Sequence, residues 1–391
     1  MTPGNLQMKL KQSAQKTVDK ESAALKKLAL KIHRHPEAGY KEFKASGWLT
    51  EYLEKQGFAV QNGFYNIPTA FRATYGQGKP RIGLFAEYDA LPGIGHGCGH
   101  NLICTTACGA AVASKAAADE FGGQIIVFGT PAEETVGAKV EMSEKGAFSD
   151  LDAAILVHPG VADQATMPTL ALIGMHVEFF GKSAHASANP EMGINALDAM
   201  IRAFNNIDSL RKNMQKSARI HGIITDGGRA ANIVPDYAAG EFMVRATTDA
   251  YLEELKNKVL GCFEKAAAVT GARFTYQLHQ KYSAMKTNRT LASLYIKNMK
   301  KLGRTVYYPD PNEPRVSTDM GNVSQIVPAI HPMIAIATPD ISIHSAGFTS
   351  AAASEKGVEG MLDAAKAVAM TIVDILSDHA LLEKIKNEFT G

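Results

Sequence analysis

Cysteine is scarce in this chain, at four in 391 residues, too few for the disulfide framework of a small secreted domain. The opening stretch, MTPGNLQMKLKQ, lacks the apolar core of a secretory signal. Long apolar runs are missing as well. Even the Ala-rich GMLDAAKAVAMTIVDIL is broken by Asp363, Lys366 and Asp374, so it falls short of the roughly 18 uncharged apolar residues of a membrane-spanning helix. No charge of one sign accumulates: 41 Lys+Arg against 39 Asp+Glu leave +2. A chain held to nucleic acid or an anionic surface by electrostatics carries a larger or more clustered basic excess. The expectation is a cytoplasmic protein in a reducing compartment, with no nucleic-acid and no membrane partner. Several catalytic signatures are absent too: G-x-x-x-x-G-K, G-x-G-x-x-G after a strand, H-E-x-x-H and G-x-S-x-G. Ser13-x-x-Lys16 and Ser209-x-x-Lys212 match S-x-x-K but stand without S-D-N or K-T-G. Nucleotide chemistry and serine hydrolysis both lose ground.

What is present is an ordinary core-forming composition, 46% hydrophobic and 20% charged, over about two to three typical domain lengths. Val18, Leu25, Leu28 and Ile32 share one face of a helix predicted over 18–32, and a second helix is predicted from Ser46, as its N-cap, to Gly57. Apolar runs at 82–86, 125–128 and 153–157 read as buried strands, with helical stretches at 101–119 and 135–146 between them. Such alternation implies a mostly parallel sheet sandwiched by helices. The rhythm then changes. Strand 170–180, helix 193–214, strands 219–225 and 237–247, helix 251–269 and strand 273–280 follow the β-α-β-β-α-β order of a ferredoxin-like unit. The expected organisation is an α/β domain in two pieces, 1–169 and 285–391, interrupted by an α+β domain at 170–284. The second piece ends in an amphipathic helix over 355–376.

Metal-ligating and acid–base side chains cluster just beyond predicted strand ends, where open α/β sheets bind ligands. Ala86-Glu87-Tyr88-Asp89-Ala90-Leu91-Pro92 leads into Gly95-His96-Gly97-Cys98-Gly99-His100-Asn101; Thr130-Pro131-Ala132-Glu133-Glu134 follows the next strand, and Val157-His158-Pro159 the one after. Ile343-His344-Ser345 is a fourth candidate. Taken singly, a Cys or His is more often a buried small residue or a capped ring. Adjacent carboxylates after a buried strand are more telling, because they repel unless a cation or proton is shared. Cys98, His100, Glu134, His158 and His344 together supply five ligands. That is too few for two closed tetrahedral sites, but enough for two ions sharing a bridging thiolate with positions left open. Sulfur, nitrogen and oxygen donors together suit Zn²⁺ best, with Mn²⁺, Co²⁺ or Ni²⁺ as alternatives.

The stretches HRHPEAGYKEFKAS, AEYDALPGIGHGCGHN, TPAEE, LVHPG, GKSAHASANPEMGINALDA, DGGRAANIVPDYA, STDMGNVSQIVP and IHSAG run in order along nearly the whole chain from residue 33. They resemble the zinc-dependent amidohydrolases and carboxypeptidases, an aminoacylase-like family that includes auxin-conjugate hydrolases and bacterial N-acyl-amino-acid hydrolases. The wording is nearest to the branch of p-aminobenzoyl-glutamate hydrolases and β-alanyl-dipeptide hydrolases. The resemblance implies a metal-dependent exopeptidase fold with an inserted ferredoxin-like lid and dimerisation domain, hence a homodimer or higher homo-oligomer. It implies that Cys98 bridges two divalent ions, one also held by His100 and His158, the other by Glu134 and His344. Glu133 would be the general base, and Asp89 would orient a ligand from behind. His185 would reach the partner subunit's site to stabilise the oxyanion, Asn232 would bind substrate, and Arg245 would pair with a substrate carboxylate.

One departure is Asn101, where the auxin-hydrolase branch has Asp after its Cys-Gly-His; it removes a charge and weakens transfer of that branch's substrate preference. His96 reads as a turn histidine outside the ligand set, and His33 and His35 as closing the first helix near Pro36. Cys104, Cys108 and Cys262 read as small apolar residues on helices. The expected substrate is a small molecule or short peptide with a free carboxylate beside the scissile amide: an N-acyl amino acid, a dipeptide or an aminobenzoyl-glutamate-like conjugate. The rival readings are a peptidase for longer peptides and a non-catalytic sensor of amino-acid conjugates.

Overall fold

A computed structural model describes residues 3–310 and 315–391. It divides into two units, Met1–Pro168 with Met285–Gly391, and Thr169–Ala284. The first unit opens with helices α1 (Pro3–His33) and α2 (Phe43–Lys55) and strands β1 (Ala59–Asn62), β2 (Phe71–Gln77) and β3 (Arg81–Ala86). There follow α3 (His100–Ala113), α4 (Lys115–Phe121), β4 (Gly123–Gly129), α5 (Ala138–Glu144), β5 (Ala153–Ile155) and β6 (His158–Gly160). The second unit holds β7 (Ala171–Phe180), α6 (Ala196–Arg211), β8 (Arg219–Asp226), β9 (Tyr237–Ala246), α7 (Asp249–Thr270) and β10 (Arg273–Tyr282). The first unit then resumes with α8 (Arg289–Lys301), α9 (Met320–Ser324), β11 (Ala329–Ile330), β12 (Met333–Ala335), α10 (Ala346–Ala351), α11 (Glu355–Ser377) and α12 (His379–Thr390).

Among the described residues, the main sheet of the first unit runs β1-β2-β4-β3-β5-β11. The β3–β4, β3–β5 and β5–β11 pairs are parallel, while β1–β2 and β2–β4 are antiparallel. The sheet is therefore α/β and mixed, parallel in the half that carries the chemistry. Alternation along its strands explains how it is covered on both sides. Ile82, Leu84, Ile125 and Val127 join the core beneath α1, α3 and α11, whereas Phe85, Ile126 and Phe128 enter a second core with Phe148, Met320 and Val323. Each such fully buried side chain stabilises the fold by roughly 1.5–3 kcal/mol relative to exposure.

Local differences from the predicted elements have identifiable causes. Helix α1 begins at Pro3, well before residue 18, and its early turns are held by polar contacts that carry no apolar period. Lys11 is buried and donates to Asp374 and Asn298 at 2.5 and 2.9 Å. Helix α2 starts at Phe43, so Ser46 lies inside it and is not its cap. The free N–H groups of Lys44 and Ala45 are instead accepted by the Glu37 carboxylate at 3.0–3.1 Å. The single helix predicted over 101–119 is two, parted at Ser114, whose hydroxyl donates to the Ala110 carbonyl at 2.7 Å. Strands β1 and β2 add to the predicted set.

The second unit is an antiparallel sheet ordered β10-β7-β9-β8, with α6 and α7 packed on it around Phe179, Phe242 and Phe263. Its entry and exit strands pair with each other, Leu172 opposite Tyr282. In the first unit the flanking hydroxyls of Thr166 and Thr287 are 2.6 Å apart. Strand β8 is an edge, and it leaves Ile223 63% and Ile224 41% exposed. Among the described residues no helix is long and apolar enough to cross a membrane.

Candidate metal centre

Strands β3, β4, β5 and β11 run parallel, so their C-terminal ends open on one edge of the sheet. Glu87 and Asp89 follow β3, Glu133 and Glu134 follow β4, and His158 begins β6 just beyond β5. Cys98 and Gly99 precede His100, the first residue of α3. Gly99 has φ +79°, and a Cβ there would lie 2.9 Å from Pro159, so only glycine lets the Cys98 and His158 loops meet. Two of the non-glycine residues held in the left-handed region adjoin this cluster. Ala132 (φ +62°) donates its N–H to the buried Glu42 carboxylate at 2.9 Å, and His344 (φ +65°) donates its N–H to the Gly97 carbonyl at 2.9 Å. Such conformations concentrate where surrounding structure fixes a functional side chain.

Four sets of three donor atoms lie mutually within 4.8 Å; one is His100, Glu133 and Glu134, and two more are Cys98, His100 and His158, and Cys98, Glu134 and His344. The last two share the Cys98 sulfur. His158 Nε2 is 3.3 Å from that sulfur, His344 Nε2 is 3.4 Å from Glu134, and His100 Nε2 is 3.9 Å from Glu134 and 4.0 Å from Glu133. The buried His100 Nε2 is left without a well-formed hydrogen bond, and Glu134 Oε1 has only the long contact to His344 Nε2. Buried polar atoms are otherwise nearly always paired, and a thiolate, imidazoles and a carboxylate converging with unpaired atoms fit divalent cations.

Asp89 braces this cluster from behind. One of its oxygens is 2.9 Å from His100 Nδ1, and the other accepts the Glu134 N–H at 2.9 Å. It therefore fixes which imidazole nitrogen faces the cluster and where the glutamate turn sits. His158 is set by its other nitrogen, 2.6 Å from the Pro159 carbonyl. Beneath lies a buried ammonium: Lys139 Nζ is 2.6 Å from Asp319 and 2.8 Å from Glu87, all three at most 1% exposed. Glu87, Glu133 and Asp319 form the fourth set, an all-acidic one, and Lys139 supplies the positive charge it needs. His331, also buried, stacks on His158 with ring centroids 5.7 Å apart. Sequence reasoning passed over Glu87, Lys139, Asp319 and His331. The first and third stand in AEYDALP and STDMGNVS and could have been found there, but Lys139 reads as an ordinary lysine on a short helix.

The charges around the cluster act on one another. Burial pushes the Glu133 carboxyl well above the usual range, and the neighbouring Glu87 and Asp319 push it the same way. Burial works on Glu134 in that direction too, but the bond from His344 and the charge of His100 outweigh it and hold Glu134 low. The adjacent glutamates are thus driven apart. Burial pushes the Cys98 thiol up and holds His158 down at about 4. His344 is raised by its bond to Glu134.

His185, Asn232 and Arg245 belong to the second unit. His185 and Asn232 lie on two paired segments, with Ala186 N–H donating to the Asn232 carbonyl at 3.0 Å and Val234 N–H to Ala184 at 2.9 Å. The exposed His185 ring accepts the Ala188 N–H at Nδ1, at 3.2 Å. Arg245 sits opposite Leu172, at the far end of β9 from the Phe180–Tyr237 pair next to these segments. Eight residues of strand correspond to about 26 Å, so Asn232 and Arg245 of one copy do not reach one small ligand. His96 is buried and stacks on His33 outside these donor sets, and Cys104, Cys108 and Cys262 are buried and free.

A family model described as the M20 peptidase dimerisation domain matches residues 170–270. The chain is 39% identical to the mouse Xaa-Arg dipeptidase, over 97% of this chain and 92% of that protein. It is 30% identical to a p-aminobenzoyl-glutamate hydrolase of Escherichia coli (strain K12), over 92% and 91% of the two chains. The fold is shared with the Bacillus subtilis YXEP protein, a dinuclear metal binding peptidase from the M20 family, at TM-score 0.72 and 18% identity, covering 92% of this chain and 99% of that one.

Proposed function

From the premise that the chain belongs to the M20 family of peptidases, an amidohydrolase and dipeptidase family, we propose that it hydrolyses the amide of a small substrate with a free carboxylate on its leaving half. N-acyl amino acids, dipeptides and aminobenzoyl-glutamate-like conjugates are the candidates. The observation that carries this reading is the place of Glu133, beside two three-donor sets that share one sulfur. Cys98, His100 and His158 would hold one divalent ion and Cys98, Glu134 and His344 the other, with Zn²⁺ best matched to the donors. Bound there, such ions polarise a carbonyl and acidify water.

The protein's own groups account for the rest. Glu133, its carboxyl raised by burial, takes the proton of the attacking water and hands it to the departing amine. Asp89 keeps His100 and the glutamate turn in register with each other. His185 of the partner subunit stabilises the oxyanion of the tetrahedral intermediate. Asn232 binds substrate; given the length of β9, Arg245 meets the substrate carboxylate only from a different copy than Asn232. The match of residues 170–270 to a dimerisation domain and the exposed isoleucines on edge strand β8 support a homodimer or higher homo-oligomer. Free, buried cysteines support a reducing, cytoplasmic setting.

The test is a mass-spectrometric hydrolysis assay of the protein and its Glu133→Gln variant, each loaded with Zn²⁺ or Mn²⁺. The panel holds N-acyl amino acids, β-alanyl and ordinary dipeptides, p-aminobenzoyl-glutamate and a longer peptide. The expected result is cleavage by the wild type alone, with equal metal content in both proteins. Near-normal turnover by Glu133→Gln would sink the assignment of the base.

A further inference from the structure

Next to the donor cluster the first unit has a cavity of about 490 Å³, within the range of about 300–1,000 Å³ typical of small-ligand sites. Its reactive end is formed by Cys98, Glu133, Glu134, His158 and His344. Away from that end the wall is made chiefly of Val161, Met167, Val316, Met333, Ile341 and Ile343, and its polar groups, such as Gln164 and Thr318, are uncharged. Among the described residues, no Lys or Arg lines it and no carboxylate besides Glu133 and Glu134.

We propose that this cavity seats the acyl half of the substrate and selects an uncharged hydrocarbon group there. The inference rests on the amidohydrolase reading, under which the leaving half carries a free carboxylate. That half is a poor occupant, because away from the reactive end its carboxylate would lose water with no Lys or Arg among the described lining residues to replace it. An acyl chain, in contrast, has its carbonyl at the reacting bond and only carbon beyond. A chain ending in ammonium would place that charge among Met167, Met333 and Ile341, where no carboxylate is among the described lining residues. Length is rewarded as well, since each further methylene buried against this wall adds a factor of about four to affinity.

The experiment compares kcat/KM of the Zn²⁺-loaded protein on acyl-L-arginines and acyl-L-glutamates carrying acetyl, butanoyl, hexanoyl, benzoyl, 6-aminohexanoyl or adipoyl groups. We expect a rise from acetyl to hexanoyl of about fourfold per methylene. The 6-aminohexanoyl and adipoyl substrates should fall at least about tenfold below hexanoyl. Val316 is 47% exposed, so Val316→Glu puts a carboxylate on the wall without straining the core. It should raise the ratio of 6-aminohexanoyl to hexanoyl turnover about tenfold or more. Indifference to the acyl group, preference for a charged one, or a Val316→Glu effect that follows the leaving amino acid would each overturn the proposal. If no amide is cleaved, the hydrolase reading fails separately. Calorimetric titration of Glu133→Gln with hexanoyl- and 6-aminohexanoyl-L-arginine then decides the pocket: equal affinity refutes it, tighter hexanoyl binding upholds it.

Discussion

Replacing Lys139 by Met removes one positive charge from a place where water cannot substitute for it. The ammonium is 2.6 Å from Asp319 and 2.8 Å from Glu87, and all three side chains are closed to solvent. Methionine keeps most of the volume and the apolar stem, so the loss is mainly electrostatic. Deleting one partner of a buried ion pair costs about 3–5 kcal/mol. With each kcal/mol worth about 2–4 °C in a large domain, Lys139→Met should lower Tm by roughly 10 °C. The sign of the pH dependence follows from the stranded carboxylates. Without the ammonium, their folded pKa lies above the unfolded value. Stability is then retained below the unfolded pKa and lost as pH rises through the folded one, so the deficit should be larger at pH 8 than at pH 5. Asp319 also accepts the Lys139 backbone N–H at 3.1 Å, a bond that Asn can keep. Lys139→Met with Asp319→Asn should therefore recover part of the loss, about 1–3 kcal/mol of coupling in a double-mutant cycle. Thermal unfolding of the four proteins at both pH values is sufficient. A Tm loss under about 2 °C, or one that does not vary with pH, would refute the view that the ammonium neutralises this cluster.

Three further outcomes are expected from the candidate metal centre and the histidine proposed to come from a partner, and one from the edge strand. Stripping divalent ions with a chelator should lower Tm, and reloading should weaken below about pH 6, because imidazoles and the thiol must lose protons to bind metal; calorimetry with Zn²⁺ that shows no pH dependence would contradict the donor set. In the stripped protein, His344 has its pKa raised by Glu134, so their pairing contributes below the ordinary histidine pKa and fades as pH rises through the raised one. His344→Ala should then cost more at pH 6 than at pH 9, by less than about 1 kcal/mol for so exposed a group. Mixing Glu133→Gln with His185→Ala subunits should restore turnover that neither has alone, and no recovery after confirmed exchange would remove His185 from the partner's chemistry. Ile224→Lys, on the exposed edge strand, should shift sedimentation from dimer towards monomer with unchanged circular dichroism.

The parallel half of the first sheet is legible in the sequence because each strand is a dense apolar run and each ends in a chemistry-bearing loop. Ile82–Ala86 and the TPAEE turn are such a pair. Antiparallel β1 and β2 escaped because Ala59–Asn62 is largely exposed and Phe71–Gln77 alternates weakly. The candidate site residues were legible for a similar reason: Cys98 with His100, and Glu133 with Glu134, stand in short motifs. Their support was not. Lys139, Asp319 and His331 come from separate elements and meet only in space, and a lysine gives no sign in sequence of being closed off from water. Helix starts misled where a distant group did the capping, as Glu37 does for α2.

The pairing of Leu172 with Tyr282, and the contact between the Thr166 and Thr287 hydroxyls, bear on the order in which the molecule assembles. Four of the five candidate donors, Cys98, His100, Glu134 and His158, precede Thr169–Ala284 in the chain and His344 follows it. While that segment is unfolded, bringing His344 to His158 means closing a loop of about 185 residues, but once it has folded with its ends side by side the effective loop falls to about 70, a difference of about 1 kcal/mol in closure entropy. The excursion thus works as a clasp, and a chain that folds it early closes a markedly shorter loop to bring in its last candidate donor.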